Sequence, residues 1–281
     1  MERSTVLKPV LQRKRRQGDS VNKKSGGLAE RIPTKVWLLI SLAVALVVWT
    51  ILSIIPVTSR SFPNVIVTIQ QIKVMFDRGV LLTDIGSSLI SVGAGYVIGF
   101  VISLPVAILM AWYVPFRNIL QPWISFIRNI PPLAYVPLIV LSAGIGRRPQ
   151  IITITIATFL IMCITIYQGV MNIDETLIRA ARVLGAKDRD IFIRVIAPAS
   201  LPFIMTAIRL GASTALTTLI AAESTGAMAG LGMRIRTLNS NFDTDPMLLY
   251  IIIIGIIGLL VEKVIDFAER KLTGWQEKRE A

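Results

Sequence analysis

The feature that most constrains this chain is where its charges stop. Val36 to Ser59 carries none, and neither do Ile85 to Phe116, Asn129 to Gly146 or Pro149 to Ile173. Val195 to Ala222 is broken only by Arg209, and Pro246 to Val261 continues amphipathically through Val264, Ile265, Phe267 and Ala268. Crossing about 30 Å of hydrocarbon takes roughly 20 mostly apolar residues, in a conformation that satisfies its own backbone. The sequence therefore predicts an all-α, polytopic membrane protein with about six transmembrane helices. They fall near residues 36–57, 88–112, 119–142, 150–170, 201–223 and 246–266. Only 17% of the 281 residues are charged and mean hydropathy is +0.67, which excludes an ordinary soluble domain.

The basic residues assign the two sides, because Lys and Arg concentrate in cytoplasmic loops. With the N-terminus inside, four segments hold 22 of the 30 Lys and Arg: the arm to Lys35, the turn at Arg117, Asn172 to Arg209, and the tail from Lys263. Arg60, Lys73, Arg78, Arg147, Arg148, Arg234 and Arg236 fall outside, and Arg128 is left at membrane depth. Both termini are thus expected in the cytoplasm of a multi-pass protein of the inner or plasma membrane. The same distribution accounts for the net charge of +13 without a nucleic-acid partner. Residues 1–35, with Arg13-Lys14-Arg15-Arg16, are expected to form a basic, disordered cytoplasmic arm drawn to anionic lipid heads. Residues 36–270 then form the transmembrane domain and 271–281 a cytoplasmic tail. A cleaved signal peptide competes for the N-terminus, but the apolar run is long for one and no A-x-A site follows it.

Whole classes of chemistry are missing from the composition. There is no histidine, so Ser-His-Asp, Cys-His and His-ligated metal arrangements are excluded. Cys163 is the single cysteine, so no intrachain disulfide can form. No G-x-x-x-x-G-K-[ST] phosphate loop occurs. The chain is expected to supply no catalytic residue and to bind no cofactor or metal.

Polar and small residues inside the apolar runs mark packing or a path. Gly95 and Gly99, with Ser91 and Ser103 at the same spacing, would let a neighbouring helix approach closely, within the chain or at a dimer seam. Gly255 and Gly258 mark span six in the same way. Pro122, Pro131, Pro132 and Pro137 crowd span three; each removes an amide donor, so this helix is expected to be broken and to face protein or water. Arg128 and Glu223 are the deepest ionisable residues, and such groups are usually paired or on a pathway. Arg128, Pro131, Pro132, Ser213, Thr217 and Glu223 are the candidate translocation path, with an Arg128–Glu223 salt bridge as a further expectation. The alternatives are that Arg128 binds carbonyls freed by the prolines or snorkels to an interface, and that the hydroxyls bond to their own helix.

Residues 173–200 are unlike everything around them. Leu177, Ile178, Ala181 and Leu184 recur at helical spacing, with Asp174 placed to cap the start and Gly185 to end it. A second short helix carries Ile191, Ile193, Val195 and Ile196 and is expected to stop at Pro198. The small Ala180-Ala181 face and basic rim suit a groove on a cytoplasmic partner; the alternative is a helix pair lying on the membrane.

This loop carries a resemblance. Arg179-Ala180-Ala181, three residues, Gly185, nine residues, then Val195-Ile196-Ala197-Pro198 resembles the "EAA" signature of ATP-binding-cassette importer permeases. That signature reads Glu-Ala-Ala, three residues, Gly, nine residues, Ile-x-Leu-Pro; the chain departs from it at Arg179, Val195 and Ala197. Arg128-Asn-Ile-Pro-Pro-Leu-Ala-Tyr-Val-Pro137 with Gly144-Ile-Gly146, and Ala221-Ala-Glu223 with Gly230-Leu-Gly232-Met, are similar to the branch importing taurine, alkanesulfonates, nitrate or bicarbonate. The resemblance implies a type I importer permease fold over about residues 36–275 and a permease homodimer. It implies cytoplasmic ATPase subunits that hold ATP and magnesium, and an extracytoplasmic binding protein that delivers the solute and meets segments 58–84 and 226–245. It also implies that Arg179, Ala180, Ala181, Arg182, Gly185, Lys187, Asp188 and Pro198 couple this chain to the ATPase. Gly185 is then expected at a crowded turn.

Three rivals stay open on the residues alone. A secondary transporter would need no ATPase and often shows inverted repeats, which are not visible here. A membrane enzyme would need convergent catalytic groups. A passive channel or scaffold would have no use for the docking loop.

Overall fold

The computed structural model describes residues 33–272. The expected arm, up to residue 32, and the tail beyond 272 lie outside the described residues. Among those described there is helix and turn but no strand.

Residues 33–60 form a unit of their own. Helix α1 (Thr34–Ile54) has a 19-residue apolar window, Val36–Ile54, and none of that window is buried. A uniformly apolar, exposed helix of this length is what hydrocarbon stabilises.

The second unit starts at Ser61. It contains α2 (Val65–Asp77), capped by the Asn64 side chain accepting from the Ile66 amide at 2.8 Å, then α3 (Val80–Trp112). After these come α4 (Val114–Arg128), α5 (Pro132–Ala143), α6 (Arg147–Met171) and α7 (Glu175–Val183). Helix α8 (Asp188–Ile191) runs through a π segment (Phe192–Ile196) into α9 (Ala197–Glu223). Helices α10 (Leu231–Ser240) and α11 (Thr244–Leu272) complete it.

Helix α6 is the centre of this unit. Its apolar window is 61% buried, against 22% for α3 and 17% for α11. Glycines set how closely α3 lies on it. A side chain at Gly95 would strike Ile154, and one at Gly99 would strike Thr158. Ser91 donates to Gln150 Oε1 at 2.7 Å, and Thr155 donates to the Gly95 carbonyl at 3.2 Å. The Ser91-Gly95-Gly99 stripe is thus an intramolecular seam, and the contacts make α3 and α6 parallel. On the other side, Gly169 meets Phe203 and Gly211 meets Met162, so α9 runs antiparallel to α6. Span six differs: Gly255 has nothing within 4 Å of its missing side chain, and Gly258 has only Leu216 at 3.6 Å.

Span three is broken, as its prolines predict: its parts α4 and α5 meet at 101°. Pro131 is the N-cap of α5 and Pro132 its first residue, so the chain turns where amide donors are missing. One sequence expectation is corrected: Pro198 does not end the second loop helix. Asp188–Glu223 is one continuous 36-residue helical stretch. The π segment widens the turn just before Pro198, and the Ala197 amide reaches back to the Phe192 carbonyl. The proline then sits in the first turn of α9, where it is tolerated.

Candidate functional site

The coupling-loop candidates fold as a compact, solvent-facing helix and turn. The Asp174 carboxylate accepts from the Thr176 amide at 2.8 Å and caps α7. The Thr176 hydroxyl first, and its amide second, favour the ionised form and hold the Asp174 pKa below the ordinary carboxylate range. Arg179 pairs with Glu175 at 2.8 Å, one helical turn back. At the far end Gly185 has φ +80°; its amide donates to the Arg182 carbonyl at 2.9 Å and the Ala186 amide to the Ala181 carbonyl at 3.1 Å. This paired closure is the Schellman motif, which needs a left-handed residue at its pivot. Arg182 reaches Asp188 at 3.8 Å across the turn, and Lys187 stands just before α8 without a side-chain bond to its start.

Gly185 is not crowded within the chain, since nothing lies within 4 Å of where its side chain would start. Backbone conformation, not space, accounts for glycine at this position. No residue of α7 is buried, while Leu177 is 50% and Val183 and Leu184 are each 87% exposed. Ala180 is exposed beside them, and Pro198 is exposed at the start of α9.

The candidate path residues are not gathered in one place. Arg128 ends α4, exposed, and its side chain makes no hydrogen bond or ion pair among the described residues. Pro131 and Pro132 form the adjoining break. Ser213 and Thr217 are exposed on α9, where Thr217 donates to the Ser213 carbonyl at 3.1 Å. Glu223 is fully buried and does not pair with Arg128. Its Oε1 accepts from Ser88 at 2.7 Å and its Oε2 from the Gly232 amide at 2.7 Å. The expected salt bridge is therefore absent, because Glu223 is used inside the protein.

Glu223 belongs to a polar cluster that sequence reasoning missed. Asp84, also fully buried, accepts from the Gly230 amide at 3.0 Å, from Arg234 Nε at 2.8 Å and from the Tyr250 hydroxyl at 2.9 Å. The Leu231 amide donates to Ser88 Oγ at 2.8 Å. Three successive amides at the start of α10 thus each end on a side chain from α3 or α9. A helix cannot satisfy those amides itself, and the half-positive end it presents suits two carboxylates. Asp84 in turn holds the Arg234 pKa up. Space is tight as well: a side chain at Gly230 would fall on the Glu223 carboxylate, and one at Gly232 on Ile220. Asp84 and Ser88 continue the Ser91-Gly95-Gly99 stripe towards its N-terminal end, and that acid at stripe spacing was the available signal. Arg209 was likewise unassigned; it pairs with Asp266 at 2.7 Å and Glu269 at 2.5 Å on α11.

Known proteins share these features. Residues 99–274 match the family model described as the binding-protein-dependent transport system inner membrane component. A probable ABC transporter permease protein of Brucella abortus is 40% identical over 240 residues, covering 85% of this chain and 95% of that protein. The taurine transport system permease protein of Escherichia coli is 38% identical over 172 residues, 61% of this chain and 62% of that protein. Other relatives are named as aliphatic-sulfonate and nitrate permeases. Among solved structures, the inward-facing MetNI methionine ABC transporter aligns with a TM-score of 0.61 at 21% identity, over 68% of this chain and 95% of the matched one, and so shares the fold. The apolar helices, the helix-and-turn loop and these matches together place the chain among the binding-protein-dependent inner membrane permeases of ABC importers, in the group that includes taurine, sulfonate and nitrate permeases.

Proposed function

We propose that this permease forms the translocation path for a small organic or inorganic anion of the sulfonate, taurine, nitrate or bicarbonate type. An extracytoplasmic binding protein delivers the solute. Two copies of the chain pair in the membrane, with both termini in the cytoplasm. Each engages a cytoplasmic ATPase subunit through residues 173–200, and ATP and magnesium bind on that subunit.

The single observation that carries the coupling is the state of α7. It is well capped at both ends and exposes Leu177, Val183 and Leu184 to solvent. An ordered helix whose apolar side chains stay largely uncovered among the described residues is suited to a groove on a partner. The loop also joins, through Lys187, a helix that is unbroken to Glu223. Displacement of the docked loop is thereby carried along a continuous helical stretch towards the far end of α9. ATP binding, by closing two ATPase subunits, would draw the paired loops together and turn the path outward; hydrolysis would reverse it. The exposed, unpaired Arg128 supports an anionic solute.

The test is reconstitution of the permease with its ATPase and binding protein in proteoliposomes. Uptake of a labelled sulfonate or nitrate that needs all three components and ATP is the expected result. Cross-links from cysteines placed at Leu177 and Val183 should capture the ATPase. Uptake by the permease alone under an ion gradient would replace this reading with a secondary transporter.

A further inference from the structure

The polar cluster at the start of α10 does more than fill a gap. An isolated helix start would be satisfied by water or by one local cap. Here Asp84, Ser88 and Glu223 come from helices far away in sequence and take three successive amides. Arg234 and Tyr250 then bind Asp84 from α10 and α11. Beneath them, Leu231 and Leu238 share a buried core with Met75, Leu81, Leu249 and Tyr250. The opposite side of α10 exposes Arg236, Thr237, Asn239 and Ser240. So α10 is fixed on one side and presents polar groups on the other. Glu223 is also the last residue of the helix that begins at Asp188, beside the coupling turn.

We propose that Asp84, Ser88 and Glu223 are positioning residues that lock α10 onto α3 and the end of α9, so that α10 moves with the coupling loop and its polar face reports the arrival of the binding protein. The proposal rests on the function given above and names the route between its two docking faces. Signals run both ways along such a link, because coupling between two binding sites is reciprocal. A loaded binding protein seated on α10 pulls on Glu223 and, through α9, on α7. A closing ATPase pulls the other way.

The experiment uses the complete complex in proteoliposomes and reads ATP turnover with and without loaded binding protein. Ser88→Ala and Glu223→Gln weaken the clasp while leaving the coupling loop untouched. The expected result is basal turnover near wild type with stimulation by the binding protein reduced about five-fold or more, the lower end of usual coupling. Stimulation that survives both substitutions would overturn the proposal. So would basal and stimulated turnover falling in equal proportion, since that marks a merely structural role. If Glu223→Gln does not assemble, the milder Ser88→Ala decides. A wild-type complex that shows no stimulation would overturn the import reading itself, and this proposal with it.

Discussion

Ser88 Oγ stands 2.7 Å from Glu223 Oε1, joining residues 135 positions apart inside a fully buried site. The same oxygen accepts from the Leu231 amide at 2.8 Å. One hydroxyl therefore ties α3, α9 and α10 together, and its donor and acceptor capacities are both in use.

Removing the cation of this cluster should be costly. Arg234→Ala would leave Asp84 buried without its counter-charge, a loss of about 3 kcal/mol or more by the usual behaviour of such pairs. The expected outcome is a marked fall in the thermal denaturation temperature of the purified permease. Asp84→Asn combined with Arg234→Ala should be milder than the single change. If the double variant is worse, the ion pair is not what stabilises the site.

Gly185 separates conformation from crowding. A residue with a side chain in the left-handed region costs roughly 1–2 kcal/mol, less for Asn, and most for a β-branched residue. Gly185→Asn should therefore keep much of the uptake, Gly185→Ala less, and Gly185→Val very little, all at normal amounts in the membrane. Gly185→Asp should also uncouple transport, by adding charge to the docking turn. Equal uptake by the Val and Asn variants would remove the conformational argument.

The cap of α7 gives a pH signature. Asp174 has a lowered pKa because its ionised carboxylate accepts from Thr176. Its stabilisation is therefore complete above the ordinary carboxylate pKa and is lost as pH falls through the lower, folded value. Amide exchange at Thr176 should accelerate, relative to its intrinsic rate, as pH drops through that window. Asp174→Asn should abolish the pH dependence.

Arg128 tests the anion reading. Arg128→Ala should reduce uptake by roughly ten-fold, the size of one charge-assisted hydrogen bond. Amounts in the membrane should not change, because the side chain has no partner to lose within the described residues. Arg128→Lys should recover part of the activity. Unchanged uptake in the alanine variant would remove Arg128 from the path.

Gly99→Leu should fail differently. Its side chain would drive into Thr158 on α6, and overpacking of this kind costs about 1–3 kcal/mol or more. Little folded protein should be recovered. Gly255→Leu should be tolerated, since that position faces open space.

The spans and the loop were legible because each follows from local sequence. Absence of charge marks a helix in hydrocarbon, and Asp174 and Gly185 mark a helix start and stop within a dozen residues. The Ser91-Gly95-Gly99 stripe announced close packing, though not that α6 would be its partner. What could not be read were pairings between distant segments. Nothing near Glu223 says that it will accept from Gly232 and Ser88, and its depth made Arg128 the obvious partner. Asp84 was passed over because it lies where the apolar run has not yet begun. Pro198 misled for a local reason: a proline usually ends a helix, and the π segment that absorbs it has no composition of its own.

The continuous stretch from Asp188 to Glu223 also fixes its own length. An α-helix turns about 100° per residue, so one inserted or deleted residue would rotate Glu223 away from Ser88. The two faces proposed to engage different partners are thereby held in phase. Substitutions can accumulate along this shaft, but a change in its residue count cannot be absorbed without a compensating bulge, and the wide turn at Phe192–Ile196 is the place where such an adjustment is already built in.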